Sequence, residues 1–380
     1  MTNIRLLNKL LSEADVKING QRPWDIQLYD ENAIKRIFID GSLGFGETYM
    51  DGLWDCDQLD ELINRLTSHD IERKLDVKKR LLLGASIGQE KILNIFNRQS
   101  VSQSKKDIPY HYDLGNDLFK VMLDESMTYT CGYWKNSNNL TQAQEAKLDL
   151  VCQKIGLKPG MRILDIGCGW GSFMNYAAEH YGVICDGLTL SKEQMELGRE
   201  KSTTKQLPVN FILEDYRLYS PDITYDRVVS IGMIEHVGPD NYQEYFECIS
   251  RFLKDDGIFL LHTIGQPTSQ HKTDAWINKY IFPNGVVPSM TQLGGAMEQA
   301  FNIEDLHNIG PDYYRTLMAW YENFEKNWPK ISKKYDEKFY RMWKFYLLSC
   351  AGSFKSRNLN VWQIVSTKIG TKQPESIRAF

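Results

Sequence analysis

The chain has 380 residues and a formal net charge of −4, and 42% of its residues are hydrophobic, a composition typical of an ordinary globular protein. The negative charge argues against bulk electrostatic binding to nucleic acid, and seven scattered cysteines without a CxxC pair predict neither a disulfide framework nor a zinc site. The scattered cysteines fit a reducing cytoplasm best. Because no stretch approaches the roughly 20 apolar residues of a membrane span, we expect any membrane contact to be peripheral.

The N-terminal region, residues 1–98, is predicted to form a small, mainly helical domain. Within it, residues 74–98 place apolar side chains at helical spacing among lysines and arginines. An apolar face edged with cations suits a helix that rests on an anionic bilayer, but a helix packed on its own domain with a solvated basic rim has the same pattern. We interpret this region as a lipid- and membrane-docking domain, followed by a polar linker at 99–107.

From about residue 140 the chain alternates between helical patterns and short apolar strands. An amphipathic helix is predicted to begin at Thr141, a plausible N-cap. The predicted strands are 161–166, 183–189, 209–214, 226–231 and 257–262. Repeated alternation of strand and helix predicts an α/β fold, with a parallel sheet covered by helices on both faces.

The first of these strands leads into a glycine-rich stretch, in which Asp165 precedes Gly167, Gly169 and Gly171. The loop after such a strand opens a helix at the carboxyl edge of the sheet, where ligands bind, and glycines let the backbone approach a ligand closely. The G-x-G-x-G spacing differs from the G-x-G-x-x-G dinucleotide fingerprint. It is the form seen with S-adenosylmethionine, whose ammonium group Asp165 can contact.

Two further strand ends supply candidate contacts to this cofactor. Thr189 and Gln194 follow the second strand, at a position that is usually acidic, so we expect this pair to bind the ribose hydroxyls instead. Glu214 and Asp215 follow the third strand, and Asp215 is placed to accept a hydrogen bond from the adenine amino group. The cofactor-binding candidates therefore cluster at three strand ends.

Ten short stretches, spread along nearly the whole chain, carry a specific family resemblance. They are GSLGFGETYMDGLW, HYDLGNDLF, MTYTCGYW, LDIGCGWGSF, TLSKEQ, GMIEHVG, LLHTIG, WINKYIFPNG, LMAWYENF and CAGSF. The chain resembles the cyclopropane-fatty-acyl-phospholipid synthases, which are similar to the mycolic acid cyclopropane synthases. The resemblance implies a Rossmann-like class I S-adenosylmethionine-dependent methyltransferase domain at 108–380, with an insertion at about 265–330 that covers the substrate.

The same resemblance implies the reaction and its base. Family members add a methylene, taken from the cofactor's methyl group, across the cis double bond of an unsaturated phospholipid acyl chain, and a bound bicarbonate ion removes the proton. The matching positions are Cys131, Glu235, His262, Ile264 and Tyr313. Hydroxyl, imidazole and backbone N–H groups are donors to an anion. Taken singly, such a glutamate is commonly a helix cap or ion-pair partner, and such a cysteine or histidine is commonly a core residue.

Other residues are implied less directly. Tyr129 and Thr130 align with cofactor contacts in related enzymes. Cys350 is marked in some descriptions of the family, but the implied chemistry forms no covalent intermediate, so a buried structural thiol is the alternative. Aromatic side chains can stabilise cationic charge, although many are simply core residues. The aromatic candidates are Tyr129, Tyr133, Trp134, Trp170, Phe173, Tyr280, Trp320 and Tyr321.

Two other functions stay open at this point. A small-molecule N-methyltransferase would resemble the catalytic half but would not need an N-terminal docking domain. A membrane-associated protein that binds cofactor or lipid without turnover would not need Glu235, His262 and Cys131. The resemblance also implies a homodimer, in which two lipid-binding surfaces on one bilayer would raise avidity.

Overall fold

The computed structural model describes residues 3–75 and 115–375. Most of the amphipathic segment 74–98, and all of the linker 99–107, lie outside the described residues. The N-terminal part is mainly helical and includes a two-stranded antiparallel ribbon. Its elements are α1 (Asn3–Glu13), β1 (Gln27–Leu28), α2 (Asn32–Asp40), α3 (Ser42–Met50), β2 (Trp54–Asp55) and α4 (Leu59–Ser68).

A seven-stranded sheet follows, in the order β5-β4-β3-β6-β7-β9-β8. Its strands are β3 (Arg162–Ile166), β4 (Ile184–Thr189), β5 (Val209–Leu213), β6 (Tyr225–Ile231), β7 (Leu253–Gly265), β8 (Phe301–Asn308) and β9 (Asn360–Lys368). The strands β3 to β7 are parallel, which confirms the predicted α/β sheet. The antiparallel strands β9 and β8 were not predicted; β8 has a largely polar sequence because it forms the exposed edge.

Residues 115–375 also form helices, some in the compact unit that contains the sheet and some in a second, helical unit. They are α5 (Asn116–Met122), α6 (Leu140–Lys154), α7 (Ser172–Tyr181), α8 (Lys192–Thr204), α9 (Tyr242–Phe252), α10 (Ala275–Tyr280), α11 (Met290–Met297), α12 (Gly310–Ile331) and α13 (Glu337–Lys355). The prediction that Thr141 caps α6 is wrong. Asn139 is the N-cap, because its backbone is extended and its side chain accepts a hydrogen bond from the Gln142 N–H at 3.0 Å. No helix among the described residues is long and apolar enough to span a membrane.

Alternate residues of the central strands pack on opposite faces of the sheet. On β7, Phe259 and Leu261 join an apolar cluster with α9 and α11. Their neighbours Ile258 and Leu260 join a second cluster with α6 and α7. Because apolar side chains fill both faces, the carboxyl edge of the parallel strands is where polar groups can meet a ligand.

The chain forms two compact units whose division differs from the predicted domains. Within the described residues, the helical unit comprises 3–75, 273–283 and 317–359, and the sheet unit comprises 115–272, 284–316 and 360–375. The sequence analysis places residues 273–283 and 317–359 in the methyltransferase domain at 108–380. Together with the N-terminal residues they form one helical core, in which Arg341 of α13 donates to the Tyr49 carbonyl at 2.6 Å and packs over its ring.

Candidate active site

The loop after β3 has the backbone that its glycines suggest. Gly167, Gly169 and Gly171 all have positive φ angles, a conformation that side-chain-bearing residues adopt at a cost. A Cβ on Gly169 would meet no atom within 4 Å, so this residue faces open space. A Cβ on Gly171 would lie 2.4 Å from the Phe211 ring. Gly169 is therefore open for a ligand, whereas Gly171 is required for packing at the start of α7.

One cavity gathers nearly all of the cofactor-binding candidates at the carboxyl edge of the sheet. Gly171 alone of these candidates is not among the cavity's lining residues. The candidates that line it are Tyr129, Thr130, Asp165, Gly167, Gly169, Thr189, Gln194, Glu214 and Asp215. Residues from four separate segments thus meet in one place, as expected when neighbouring parallel strands end at one edge.

Asp165 is a buried carboxyl group with unused hydrogen-bonding capacity. It is 2% exposed, and its Oδ1 atom has no hydrogen-bond partner among the described residues. Burial raises the pKa of this carboxyl to about 7, and the nearby charge of Lys147 opposes that rise. An unpaired carboxylate oxygen in a cavity fits an ammonium group of a ligand, and so fits the amino group of S-adenosylmethionine.

Lys147 is a lining residue that the sequence analysis did not single out. It lies on α6, is 1% exposed, and donates from Nζ to Thr130 Oγ1 at 3.0 Å. Burial lowers its pKa to about 8, while the nearby carboxylates of Asp124 and Asp165 favour the charged form. A signal was present in the sequence, because Lys147 falls on the buried stripe of α6, seven residues after Leu140.

The predicted ribose-binding pair lies at the end of β4. Thr189 and Gln194 are both buried and line the cavity, with 3.5 Å between Thr189 Oγ1 and Gln194 Oε1. Ser191 caps α8, and its N–H donates to Thr189 Oγ1 at 3.2 Å. The helix start therefore holds both polar side chains in place at the cavity wall.

Asp215 is paired with Arg217, a contact that the sequence analysis did not predict. Its Oδ1 accepts from the Arg217 backbone N–H at 3.0 Å and from Nε at 2.8 Å, and its Oδ2 accepts from Nη2 at 2.7 Å. Both side chains are buried. A carboxylate has about four acceptor positions, so Asp215 retains capacity for an adenine amino group, and Arg217 holds its orientation.

The predicted catalytic residues Glu235 and Ile264 are in direct contact. Glu235 lies in a short 3-10 helix after β6, and its Oε1 accepts from the Ile264 backbone N–H at 2.7 Å. Its Oε2 is buried without a hydrogen-bond partner among the described residues, and burial raises the pKa of the carboxyl to about 6. The Ile264 N–H, at a position that the resemblance assigns to bicarbonate binding, thus binds the glutamate, and Glu235 Oε2 keeps an unused acceptor.

His262 lies one strand away from the Glu235 loop. It is 2% exposed and faces Ile231 in the β6–β7 pairing, and its carbonyl accepts from the Gly232 N–H at 2.8 Å. Burial lowers the pKa of its imidazole well below the usual value, and the charges of Lys147 and Lys154 add to this effect. His262 is therefore neutral at physiological pH, with one ring nitrogen able to donate and one able to accept.

Cys131 lies against the beginning of α12, the helix that carries Tyr313. The Cys131 thiol contacts the Ile309 carbonyl at 4.0 Å, and the next backbone N–H, of Gly132, donates to Thr316 Oγ1 at 3.1 Å. Tyr313 is 8% exposed on the same turn of α12. Burial raises the pKa of the Cys131 thiol well above its usual value, so the thiol stays protonated and is a weak donor rather than a nucleophile.

The aromatic candidates and Cys350 are divided between the two units. Tyr129, Trp170 and Phe173 line the cofactor cavity. The others do not line it: Tyr133 and Trp134 of the sheet unit, and Tyr280, Trp320 and Tyr321 of the helical unit. Cys350 also belongs to the helical unit, and burial raises the pKa of its thiol to about 12. Within the described residues, no group of three or more acidic, histidine or cysteine side chains could hold a metal ion.

The doubly wound sheet, the glycine loop and the cavity at its carboxyl edge define the fold of a Rossmann-like class I S-adenosylmethionine-dependent methyltransferase. A structure of coclaurine N-methyltransferase shares this fold at 21% identity, with a TM-score of 0.65 over 85% of this chain and 98% of that one. At that identity the likeness concerns the fold alone.

The closer matches define a family. The family model for mycolic acid cyclopropane synthetase matches residues 99–364. The cyclopropane-fatty-acyl-phospholipid synthase of Escherichia coli strain K12 is 46% identical over 366 residues, which cover 96% of this chain and 93% of that protein. The structure of the cyclopropane synthase MmaA2 from Mycobacterium tuberculosis is 33% identical, with a TM-score of 0.65 over 69% of this chain and 97% of that one. The chain belongs to the mycolic acid cyclopropane synthetase family, as its motifs predicted.

A further solved structure bears on the cofactor. Mycolic acid cyclopropane synthase CmaA1, complexed with SAH and CTAB, is 33% identical and has a TM-score of 0.65 over 69% of this chain and 97% of that one. SAH, S-adenosylhomocysteine, is what S-adenosylmethionine becomes after it gives up its methyl group. The predicted cofactor is therefore supported by a homologous structure as well as by the cavity.

Proposed function

We propose that this protein is an S-adenosylmethionine-dependent cyclopropane synthase that acts on the cis double bonds of unsaturated phospholipid acyl chains. The observation that carries the proposal is the 46% identity to the E. coli synthase across 96% of the chain, a match that extends beyond the residues 99–364 of the family model. S-adenosylmethionine supplies an electrophilic methyl group when it is bound. The cavity residues described above supply its binding and orientation.

The residues around Asp165 explain how the cavity selects a cationic ligand. The unpaired Oδ1 of Asp165 would accept from the ligand's ammonium group, and Gly169 leaves room for its amino-acid portion. Tyr129 and Trp170 add aromatic faces, which attract a sulfonium by roughly 0.5–2 kcal/mol each. Phe119 contacts both rings at centroid distances of 5.1 and 5.2 Å and so holds them in place.

A bicarbonate ion bound beside Glu235 and His262 would supply the base for ring closure. Glu235 supports this assignment because its buried Oε2 lacks a partner and its raised pKa, about 6, suits the exchange of a proton with a weak acid. His262, Tyr313 and Cys131 carry N–H, O–H and S–H groups, which are of the kinds that donate to an anion. Water must be kept away from the cationic lipid intermediate, which fits the burial of these side chains.

The finer setting of the enzyme belongs to the same proposal. A phospholipid substrate lies in a bilayer, so the protein would work in the cytoplasm as a peripheral membrane protein, with residues 1–98 as the docking region. All seven cysteines are unpaired, as is usual in a reducing compartment. A homodimer would place two docking regions on one membrane and increase the apparent affinity.

The direct test incubates the protein with S-adenosylmethionine and vesicles of unsaturated phospholipid, and analyses the acyl chains by mass spectrometry. We expect each product chain to gain one CH₂ and to lose its double bond. Vesicles of saturated phospholipid are the control and should give no product. A gain of CH₂ with the double bond retained would contradict cyclopropanation, and methylation of a small amine in place of the lipid would favour the N-methyltransferase alternative.

A further inference from the structure

Three buried polar side chains, far apart in sequence, form a continuous chain that ends at His262. His262 of β7 and Gln363 of β9 are paired residues in the sheet, and Gln363 Nε2 lies 3.2 Å from His262 Nδ1. Gln363 is fully buried. Lys154, at the end of α6, donates from Nζ to Gln363 Oε1 at 2.8 Å. None of these contacts involves the cofactor cavity.

The direction of each hydrogen bond follows from the chemistry of the donors. An ammonium group has three donors and no acceptor, so the atom of Gln363 that faces Lys154 must be the carbonyl oxygen. The amide NH₂ of Gln363 must then face His262, where it can only donate. His262 Nδ1 therefore accepts, and in a neutral ring the single proton resides on Nε2.

Two other polar side chains lie close to the Lys154 ammonium group. Lys154 Nζ also lies 3.1 Å from His307 Nδ1 and 3.7 Å from Asp305 Oδ2. The buried position of His262 beside two lysines keeps the imidazole neutral by lowering its pKa. The contact with Gln363 uses Nδ1 and therefore does not occupy Nε2.

We propose that Gln363, oriented by Lys154, is a positioning residue that keeps His262 as the neutral Nε2–H tautomer, so that the free N–H can donate to the anion that serves as base. The inference rests on the proposed function, since it assigns His262 a donor role towards that anion. Gln363 and Lys154 do not touch substrate or cofactor in this scheme. They set which ring nitrogen carries the proton, as second-layer partners commonly do for functional histidines.

The tautomer itself can be measured without any activity assay. The unmodified protein would be labelled with ¹⁵N-histidine, and NMR would classify each ring nitrogen as protonated or unprotonated; the His262 signals are those that disappear in a His262→Gln variant. We expect an unprotonated Nδ1 and a protonated Nε2. A protonated Nδ1, or a doubly protonated ring at neutral pH, would overturn the inference.

Replacing Gln363 with Glu is expected to reverse the direction of the hydrogen bond between this residue and His262. A carboxylate can accept from both Lys154 and the histidine, so the proton should move to Nδ1 and leave Nε2 without a donor. We expect kcat to fall about 10²–10³-fold, the cost of losing one donor to a developing or bound anion. The dissociation constant for S-adenosylmethionine should not change, because Gln363 does not line the cofactor cavity. Unchanged kcat together with a reversed tautomer would contradict the inference.

Two further variants separate positioning from folding. Lys154→Arg keeps a donor towards Gln363 Oε1 and should retain both tautomer and turnover, whereas Lys154→Met frees the amide to rotate and should give a mixture of tautomers and a lower kcat. The matched control is Ser366→Ala on the same strand, because Ser366 is buried and its hydroxyl has no partner among the described residues.

Failure of the inference can be told apart from failure of the proposed function. If His262→Leu, which has no donor, retains full cyclopropanation, the role assigned to His262 is wrong. If His262→Leu is inactive while Gln363→Glu is fully active, the site is correct and the positioning role is wrong. If no variant and no unmodified protein forms the cyclopropane product, the proposed function is wrong, whatever the tautomer.

Discussion

The cofactor cavity and the cluster formed by Glu235, His262 and Ile264 lie at the same edge of one sheet, but their buried polar groups differ in how they are hydrogen-bonded by the protein. In the cavity, Asp165 Oδ1 has no hydrogen-bond partner among the described residues, and the positive charge of the nearby Lys147 stabilises the carboxylate. In the cluster, each group is held at one end by the protein: Glu235 Oε1 by a backbone N–H, and His262 Nδ1 by Gln363. In the proposed mechanism the other end of each group would contact the bound anion.

This difference has a physical meaning. A cavity that binds a cation gains most from an unpaired negative charge, even though burial of that charge destabilises the empty protein. A site that is to exchange protons needs groups in fixed orientations, and in the proposed mechanism Glu235, whose pKa is raised to about 6, supplies that exchange. The first arrangement provides binding energy, and the second provides geometry.

The largest expected effect is that of Glu235→Gln, which tests the cluster. The amide cannot exchange a proton, so kcat for cyclopropanation should fall about 10²–10⁴-fold. Cofactor affinity, measured by isothermal titration calorimetry, should stay within about twofold of the wild-type value, since Glu235 does not line the cavity. The matched control is Glu247→Gln on the exposed side of α9. Loss of cofactor binding along with activity would mean that Glu235 is structural.

The second expected effect is a pH dependence of cofactor binding, which tests the cavity. The pKa of Asp165 is raised to about 7, so the carboxyl of the free protein is neutral below that pH and charged above it. Affinity for the cationic cofactor should therefore decrease as the pH falls through about 7, approaching a tenfold loss per pH unit. Titrations between about pH 5 and 8, repeated with Asp165→Asn, would measure it. A wild-type affinity as independent of pH as that of the variant would exclude the role of Asp165.

A smaller effect distinguishes two glycines of the same loop. Gly169→Ala should cost about 1–2 kcal/mol of stability, because alanine is strained at its positive φ, and should also weaken cofactor binding by filling open space. Gly171→Ala adds a clash with Phe211 to the same strain, so its loss of stability should be greater by about 1–3 kcal/mol. Urea unfolding and cofactor titration of both variants provide the measurement. Equal losses of stability would contradict the different roles assigned to the two positions.

The smallest expected effect is that of Cys350→Ala. The thiol has a pKa of about 12 and is therefore protonated under assay conditions, and the proposed chemistry requires no covalent intermediate. We expect kcat to stay within about twofold of wild type, with a loss of stability of about 1 kcal/mol. A decrease in kcat of about 100-fold or more at unchanged stability would instead give this cysteine a part in the reaction.

The sequence by itself determined the parallel part of the sheet and the position of the cofactor cavity. Both depend on local patterns: short apolar strands alternating with amphipathic helices predict β3 to β7, and the D-x-G-x-G-x-G spacing marks the loop whose glycines have positive φ. Parallel strands end at one edge, so the sequence alone places the candidates in the loops after β3, β4 and β5 close together.

Only the tertiary structure decided the direction of the hydrogen bonds between buried side chains and which segments belong to each of the two units. Lys154 and Gln363 are separated by 209 positions in the sequence and His262 and Gln363 by 101, and no local pattern connects them. Between β8 and β9 the chain passes through residues 317–359 of the helical unit, where α13 packs with the N-terminal helices. Strand β9 then pairs with β7 and β8 in the sheet. A lysine on a buried stripe or a glutamine in an apolar strand acquires its role from the partners that folding brings to it, because a buried polar group must find those partners or remain unpaired.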